Sequence, residues 1–204
     1  MRSPHCFVIE PIGERYNNEI TIDNKKLIVN SEIYNHEYVN RKAVVISCPL
    51  INNTSITKGS EVIVHHNVFR RWLDAKGREK NSKSYFKENT YIVSADQIFL
   101  HRAINNSSRF KAGPWKAVEG FSFVQPIRNK SIHLNEQEDP DKGIIRYTDG
   151  NTNVGDLVGY TPFSKYEFVV GGERLYRVLN KFITIKYEYQ GNEETYNPSW
   201  AQSS

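Results

Sequence analysis

The sequence carries one pattern twice, and a chain built that way is constrained to fold as two copies of one small module. The first copy runs FVIEPI, RKAVVIS, ITKGSEVIVHH and YIVSADQIFLHR. The second runs FVQPI, DKGIIRYTDG, TNVGDLVGYTPF and YRVLNKFITIKYEY, in the same order and at similar spacing. Pro11 and Pro126 open the two copies. A repeat of this size marks a duplicated domain rather than a solenoid unit of roughly 20–50 residues. The pattern predicts a first module over 1–103, a linker over 104–119, a second module over 120–190 and a mobile tail over 191–204. The linker is read from its Asn, Ser, Gly and Pro content, and the tail from its lack of periodicity.

Within each copy the apolar runs are short and separated by turn residues, and no long stretch has helical periodicity. Twelve Tyr, ten Phe and abundant Ile and Val favour strands. The expected class is therefore all-β, a barrel or sandwich in each module. EVIVHH at 61–66 alternates as a half-buried strand does. Residues 13–40 are polar and long for a loop. Within them Ile20-Thr21-Ile22 and Leu27-Ile28-Val29 flank Asp23-Asn24-Lys25-Lys26, a spacing that fits a hairpin. A net charge of +4 is mild and permits an acidic partner without requiring one. The two cysteines, Cys6 and Cys48, read as reduced, buried small hydrophobes, although a disulfide between them is geometrically open. No apolar run reaches the ~18 residues of a membrane helix, and no secretory leader is evident. These features point to a soluble, cytoplasmic chain with no membrane partner. The Asn- and Ile-rich, Ala-poor composition suggests AT-rich coding, as in a virus or an AT-rich bacterium.

Few residues suggest chemistry. His65 and His66 are adjacent, so on a strand they point to opposite faces and cannot readily share a metal. No G-x-S-x-G elbow or paired-carboxylate motif is present, and Gly171-Gly172 reads as a hairpin turn. The expectation is no enzyme activity, no metal and no cofactor. Residues 69–87 stand apart, with seven basic residues, two acidic ones and Phe69, Trp72, Tyr85 and Phe86. A segment so polar is expected to project rather than complete a core. Its cations and aromatics also suit phosphates and bases. Without a recognisable nucleic-acid-binding motif, however, a solvated loop or a subunit contact is the expected role.

Thr152-Asn153-Val154-Gly155-Asp156-Leu157-Val158 resembles the turn-strand of the chaperonin-10, or GroES-type, co-chaperonins. Ile56-Thr57-Lys58-Gly59-Ser60-Glu61-Val62 is a looser version. Tyr91 to Leu100 and Tyr176 to Ile185 are similar to the family's closing strand, Ser/Asp turn and strand. The resemblance covers most of 5–103 and 120–190. It implies two tandem GroES-like β-barrels, with SEVIVHH equivalent to GDLVGYT and QIFLHR to FITIKY. It also implies a co-chaperonin-like lid without chemistry of its own, a GroEL-type chaperonin ring as partner and a homo-oligomeric assembly. By the same resemblance residues 13–40 match the mobile loop, and Leu27, Ile28 and Val29 the aliphatic run that docks on the ring. Such a loop orders on binding, and several loops on one ring add their affinities. Lys25-Lys26 stands where the family carries a Gly pair. The insertion at 69–87 falls where the family builds its roof, making Arg70, Arg71, Lys76, Arg78, Lys80 and Lys83 roof or acidic-partner contacts. The alternative is a structural or adaptor protein, such as a virion component, that uses the same module for assembly. A free aliphatic triplet favours the lid, and a triplet paired in a sheet favours the structural role.

Overall fold

A computed structural model describes residues 2–16, 19–22, 25–28, 39–104, 112–129, 138–188, 191 and 193–202; for 19–22 and 26–28 the description is of the backbone alone. The chain is all-β and forms two compact units, Met1–Trp115 and Lys116–Ser204. The division falls inside the span expected as a linker. Unit one contains β1 (Phe7–Pro11), β2 (Glu19–Ile22), β3 (Lys25–Ile28), β4 (Lys42–Ser47), β5 (Glu61–Val64), β6 (Arg71–Leu73), β7 (Glu79–Asn81), β8 (Tyr85–Lys87), β9 (Thr90–Val93) and β10 (Ile98–Arg102). Unit two contains β11 (Lys116–Ala117), β12 (Phe121–Arg128), β13 (Glu138–Thr148), β14 (Leu157–Tyr160), β15 (Lys165–Val170), β16 (Glu173–Leu179), β17 (Ile183–Tyr187) and a short helix α1 (Ser199–Gln202).

The main sheet of unit one is ordered β10-β5-β4-β1-β9-β8, and that of unit two β17-β14-β13-β12-β16-β15. These are one topology, strand for strand. Among the described strands each order is open, with no ladder joining its two ends. The likeness extends to irregularities. The β1–β4 ladder shifts register between Val8 and Ile9, and β12–β13 shifts between Phe123 and Val124. The β10–β5 ladder shifts between Ile98 and Leu100, and β14–β17 shifts between Gly159 and Tyr160. Tyr91 faces Ile9 and Tyr176 faces Val124 at the matching step of each unit. A bulge bends a strand and tightens its twist. Matching bulges therefore give the two sheets matching local bends.

The Gly turn before β5 and β14 explains the shared motif. Gly59 N–H donates to Val45 O at 2.8 Å and Gly155 N–H to Ile145 O at 2.8 Å, while Ser60 N–H reaches Thr57 O and Asp156 N–H reaches Asn153 O. Both glycines have positive φ, +85° and +91°, which a side chain disfavours. These bonds fix the alignment: Ser60 is equivalent to Asp156 and His65 to Thr161, whose N–H groups bond Gln97 O and Phe182 O. The expected pairing of SEVIVHH with GDLVGYT is therefore corrected by one residue, to GSEVIVH. QIFLHR does match FITIKY.

β5 is buried at all four positions, against the expected alternation. Glu61 tolerates this because Arg102, its cross-strand neighbour on β10, reaches it at 2.6 Å. The histidines leave the strand: His66–Val68 is a 3-10 turn, and the two rings lie 4.2 Å apart, centroid to centroid. Cys6 and Cys48 are free and only half-buried. The cores are Phe7, Ile9, Val45, Phe69, Tyr91, Ile98 and Leu100 in unit one, and Val124, Ile145, Val158, Tyr160, Tyr176 and Val178 in unit two. Residues near the C-terminus pack on unit two. Tyr196 N–H bonds Pro126 O, the Asn197 side chain joins Gly172 O and Arg174 N–H, and Ala201 is fully buried.

Two positions show how the copies diverged inside one frame. Gly143 stands where unit one has Ala43. A Cβ on Gly143 would meet Val124 Cγ1 at 2.5 Å and the Gln125 carbonyl oxygen more closely still. Tyr160 stands where unit one has Val64; its hydroxyl is buried without a hydrogen-bond partner, and burial, then the Glu138 carboxylate, holds the phenol well above the usual tyrosine range. Gly143→Ala should thus destabilise the protein by about 1–3 kcal/mol through overpacking. Tyr160→Phe should stabilise it by about 1 kcal/mol by removing an unsatisfied group. Urea unfolding of both variants checks this, and a neutral Gly143→Ala or a destabilised Tyr160→Phe would refute the respective argument.

Candidate functional site

The distinctive side chains of unit one lie on two excursions from its sheet. The first leaves β1 at Pro11 and returns at Lys42. Its ends are clamped by Asn40, a buried amide whose Nδ2 donates to Ile12 O and Glu14 O, both at 2.8 Å, while its Oδ1 accepts from Lys42 N–H at 2.9 Å. Burying an amide is costly unless its groups are bonded, and here three are. Tyr16 and Val39 form an isolated antiparallel bridge just beyond the clamp. Above it β2 and β3 make a two-stranded ribbon of their own, with Ile20 opposite Leu27 and Glu19 opposite Ile28. Leu27 and Ile28 are thus paired, but in a ribbon separate from the main sheet. Val29 lies outside the described residues. In unit two the corresponding segment is only 129–137, between β12 and β13.

The second excursion departs after the 3-10 turn at 66–68 and carries most of the predicted basic residues. β6 and β7 form a two-stranded hairpin in which Arg71 faces Asn81, Trp72 faces Lys80 and Leu73 faces Glu79. Its tip is built by Asp74. The Asp74 Oδ1 accepts from Lys76 N–H and Arg78 N–H, both at 2.9 Å, and Gly77 supplies a positive φ of +72°. The backbone bond from Arg78 and then that from Lys76 hold the Asp74 carboxyl below its ordinary range. Against the expectation that residues 69–87 project rather than complete a core, only the middle of the segment projects. Phe69 is fully buried, edge-on to Tyr91 with ring centroids 4.7 Å apart, and β8 joins the main sheet beside β9. The physical reason is composition: the apolar and aromatic ends of the insertion return to the core while its charged middle stays out.

Arg15 and Tyr16 join the two excursions. Arg15 Nε and Nη2 donate to Phe69 O at 3.1 and 2.8 Å, and Nη1 donates to Asn81 Oδ1 at 2.8 Å. The guanidinium also lies 5.6 Å from the Tyr91 ring centre. The Tyr16 hydroxyl accepts from Arg71 N–H at 2.7 Å, and the Arg71 guanidinium sits 5.0 Å from the Tyr16 ring. The base of the ribbon is thus also the base of the hairpin. Sequence reasoning missed both residues, since nothing in GERY marks a contact with positions more than fifty residues away.

The six predicted cations divide. Arg71 pairs with Glu79 at 2.8 Å and Arg78 with Asp74 at 3.1 Å, so their charge is met within the hairpin. Arg70, Lys76, Lys80 and Lys83 have no ion pair among the described residues. Arg70 and Lys83 border a cleft of about 510 Å³ between the hairpin and the sheet. Trp72, Asn67, Ser84 and Gln97 complete much of its lining. Trp72 is 48% exposed, its Nε1 tied to Asn81 O at 3.2 Å. Among the described residues no three His, Cys, Asp or Glu side chains gather as a metal site, and no helix is long and apolar enough to cross a membrane.

Comparisons with protein-family models, curated proteins and solved structures find no match.

If Arg15 holds both excursions, Arg15→Met should destabilise unit one by about 1–3 kcal/mol, since three charge-assisted bonds are lost and two acceptors lose their donor. It should also speed limited proteolysis in both 17–38 and 74–80. Faster cleavage in one segment alone would show that the two are anchored independently.

Proposed function

We propose that the chain is a co-chaperonin-like lid, which caps a GroEL-type chaperonin ring and assists folding without chemistry of its own. The observation that carries this reading is the ribbon of β2 and β3. It bears Leu27 and Ile28, hangs from the Asn40 clamp and, among the described residues, forms no ladder with the main sheet. A short ribbon on a fixed base suits docking, because the base sets its position while the pairing lowers the ordering cost on binding. Two-stranded hairpins are only marginally stable alone, so the ribbon is expected to adapt to its partner. The doubled module supports the same reading, because only unit one carries the long docking segment and the two copies are free to divide roles. In an oligomer the copies of the ribbon would act together, giving tight capping from individually weak contacts.

A structural or adaptor role, such as virion assembly, is the second reading. The pairing of Leu27 with Ile20 and of Ile28 with Glu19 favours it, because a paired segment is less free to wrap a partner. Native mass measurement of the full chain, alone and with a chaperonin ring plus nucleotide, separates the two. The lid reading expects a capped complex that Ile28→Ser abolishes, with circular dichroism unchanged. A homo-oligomer that never engages the ring with nucleotide present supports the structural role and sinks the lid.

A further inference from the structure

We infer that the cleft beneath the basic hairpin of unit one is a binding site for a nucleotide unit, a phosphate joined to a planar base. The unit is either a free mononucleotide or one residue of a single strand. The argument starts from Arg70. Its Nε is buried with no hydrogen-bond partner, and none of its guanidinium nitrogens has an ion pair among the described residues. A buried donor left unmade is costly, and an unmet one in a native fold commonly marks a missing ligand or water. Its neighbour Arg71 also has a buried Nε without a hydrogen-bond partner, but its Nη1 meets Glu79 at 2.8 Å and its guanidinium lies 5.0 Å from the Tyr16 ring. Among the described residues Arg70 has neither an ion pair nor an aromatic ring against it, and it borders an open cleft.

The remaining lining narrows the ligand. Lys83 adds a second cation, and among the described residues no carboxylate lines the cleft. A guanidinium and an ammonium together suit a phosphate. Trp72 supplies a half-exposed indole whose edge is held by its bond to Asn81 O, a pre-set surface for a flat ring. Asn67 offers an amide with one acceptor and two donors, the pattern needed at a base edge. Gln97 Nε2 donates to Ser84 Oγ at 3.4 Å, and both residues line the cleft. The volume of about 510 Å³ lies in the range of small-ligand sites. A carboxylate on an acidic peptide would satisfy the cations but leave the indole and the amide without a role. In unit two the chain turns directly from Thr161 to Ser164 where this hairpin is inserted, so the site belongs to the first copy alone.

Equilibrium dialysis of the full chain against labelled adenosine monophosphate tests the proposal, with inorganic phosphate, a short oligothymidylate and a polyglutamate peptide as competitors. The expected result is saturable binding at one site per chain, weakened about tenfold or more by Arg70→Gln and by Trp72→Leu. Lys58→Gln, on the exposed turn before β5, should leave it unchanged. Competition by oligothymidylate well beyond that of the mononucleotide would identify the source as a single strand; the reverse would identify a free nucleotide. Phosphate or polyglutamate competing as well as the mononucleotide would overturn base recognition and with it the proposal. So would binding that survives both variants, or no binding at all. If Arg70→Gln fails to fold, Trp72→Leu decides alone, because its half-exposed side chain is not part of the core.

Discussion

β1 lies between β4 and β9, and β12 between β13 and β16, so each sheet hangs on one central strand that carries a proline. Proline has no N–H to give and is normally confined to edges and bulges. Both sheets place it where the loss is small. β1 pairs with β9 only from Phe7 to Ile9, and β12 with β16 only from Phe121 to Val124. Pro11 and Pro126 fall two residues past those ends, where the strand has kept its β4 or β13 neighbour and lost the other. The bulge at Ile9 and Val124 comes at the same step. The proline thus marks where the pairing with β9 or β16 ends; in unit one the excursion begins from there, whereas in unit two residues 194–196 run beside the strand instead, with Tyr196 N–H on Pro126 O and Arg128 N–H on Glu194 O.

How far the sequence reveals this depends on the distance over which each feature is encoded. The repeated motifs along the chain and the all-β class are written in local runs and turn glycines, and they are legible there; the order of the strands in each sheet is not. Letters alone align Ser60 with Gly155, one residue out of step; only the bonds from Gly59 and Gly155 show which residues are equivalent. The burial of Glu61 was not legible, since it requires Arg102 opposite it on a strand forty residues on. The packing of Asn197 and Ala201 was hidden for a similar reason, because it rests on single contacts with Gly172 and β16 and leaves no periodic trace.

The basic insertion shows the same limit at the candidate site. A count of charges treats Arg70, Arg71, Lys76, Arg78, Lys80 and Lys83 as one patch. The fold sorts them by neighbour. Asp74 and Glu79 fall where they meet Arg78 and Arg71, so these cations serve the hairpin. Exposed pairs of this kind add little stability, and their effect is to leave the remaining charge concentrated elsewhere. Arg70 and Lys83 lie at the two feet of the hairpin rather than at its tip, which brings them to one cleft despite their separation in sequence.

The second unit shows what the first would be without its insertion. Its chain turns through Pro162 and Phe163, with Ser164 N–H closing on Thr161 O at 3.2 Å. Pro162 presets the turn, and Phe163 takes the position that favours Gly or Asn, at a φ of +63° and fully exposed. A non-glycine residue held there costs of order 1 kcal/mol and contributes no packing in return. In unit one the equivalent chain leaves His65 for the turn at 66–68, buries Val68 and Phe69, and reaches Arg15 and Tyr16. The insertion therefore replaces a strained bare turn with buried aromatic contacts and a fixed base. That base is shared with the ribbon of β2 and β3, so whatever engages the hairpin bears on the footing of the ribbon. The two readings of unit one, docking by the ribbon and ligand binding under the hairpin, meet physically at Arg15.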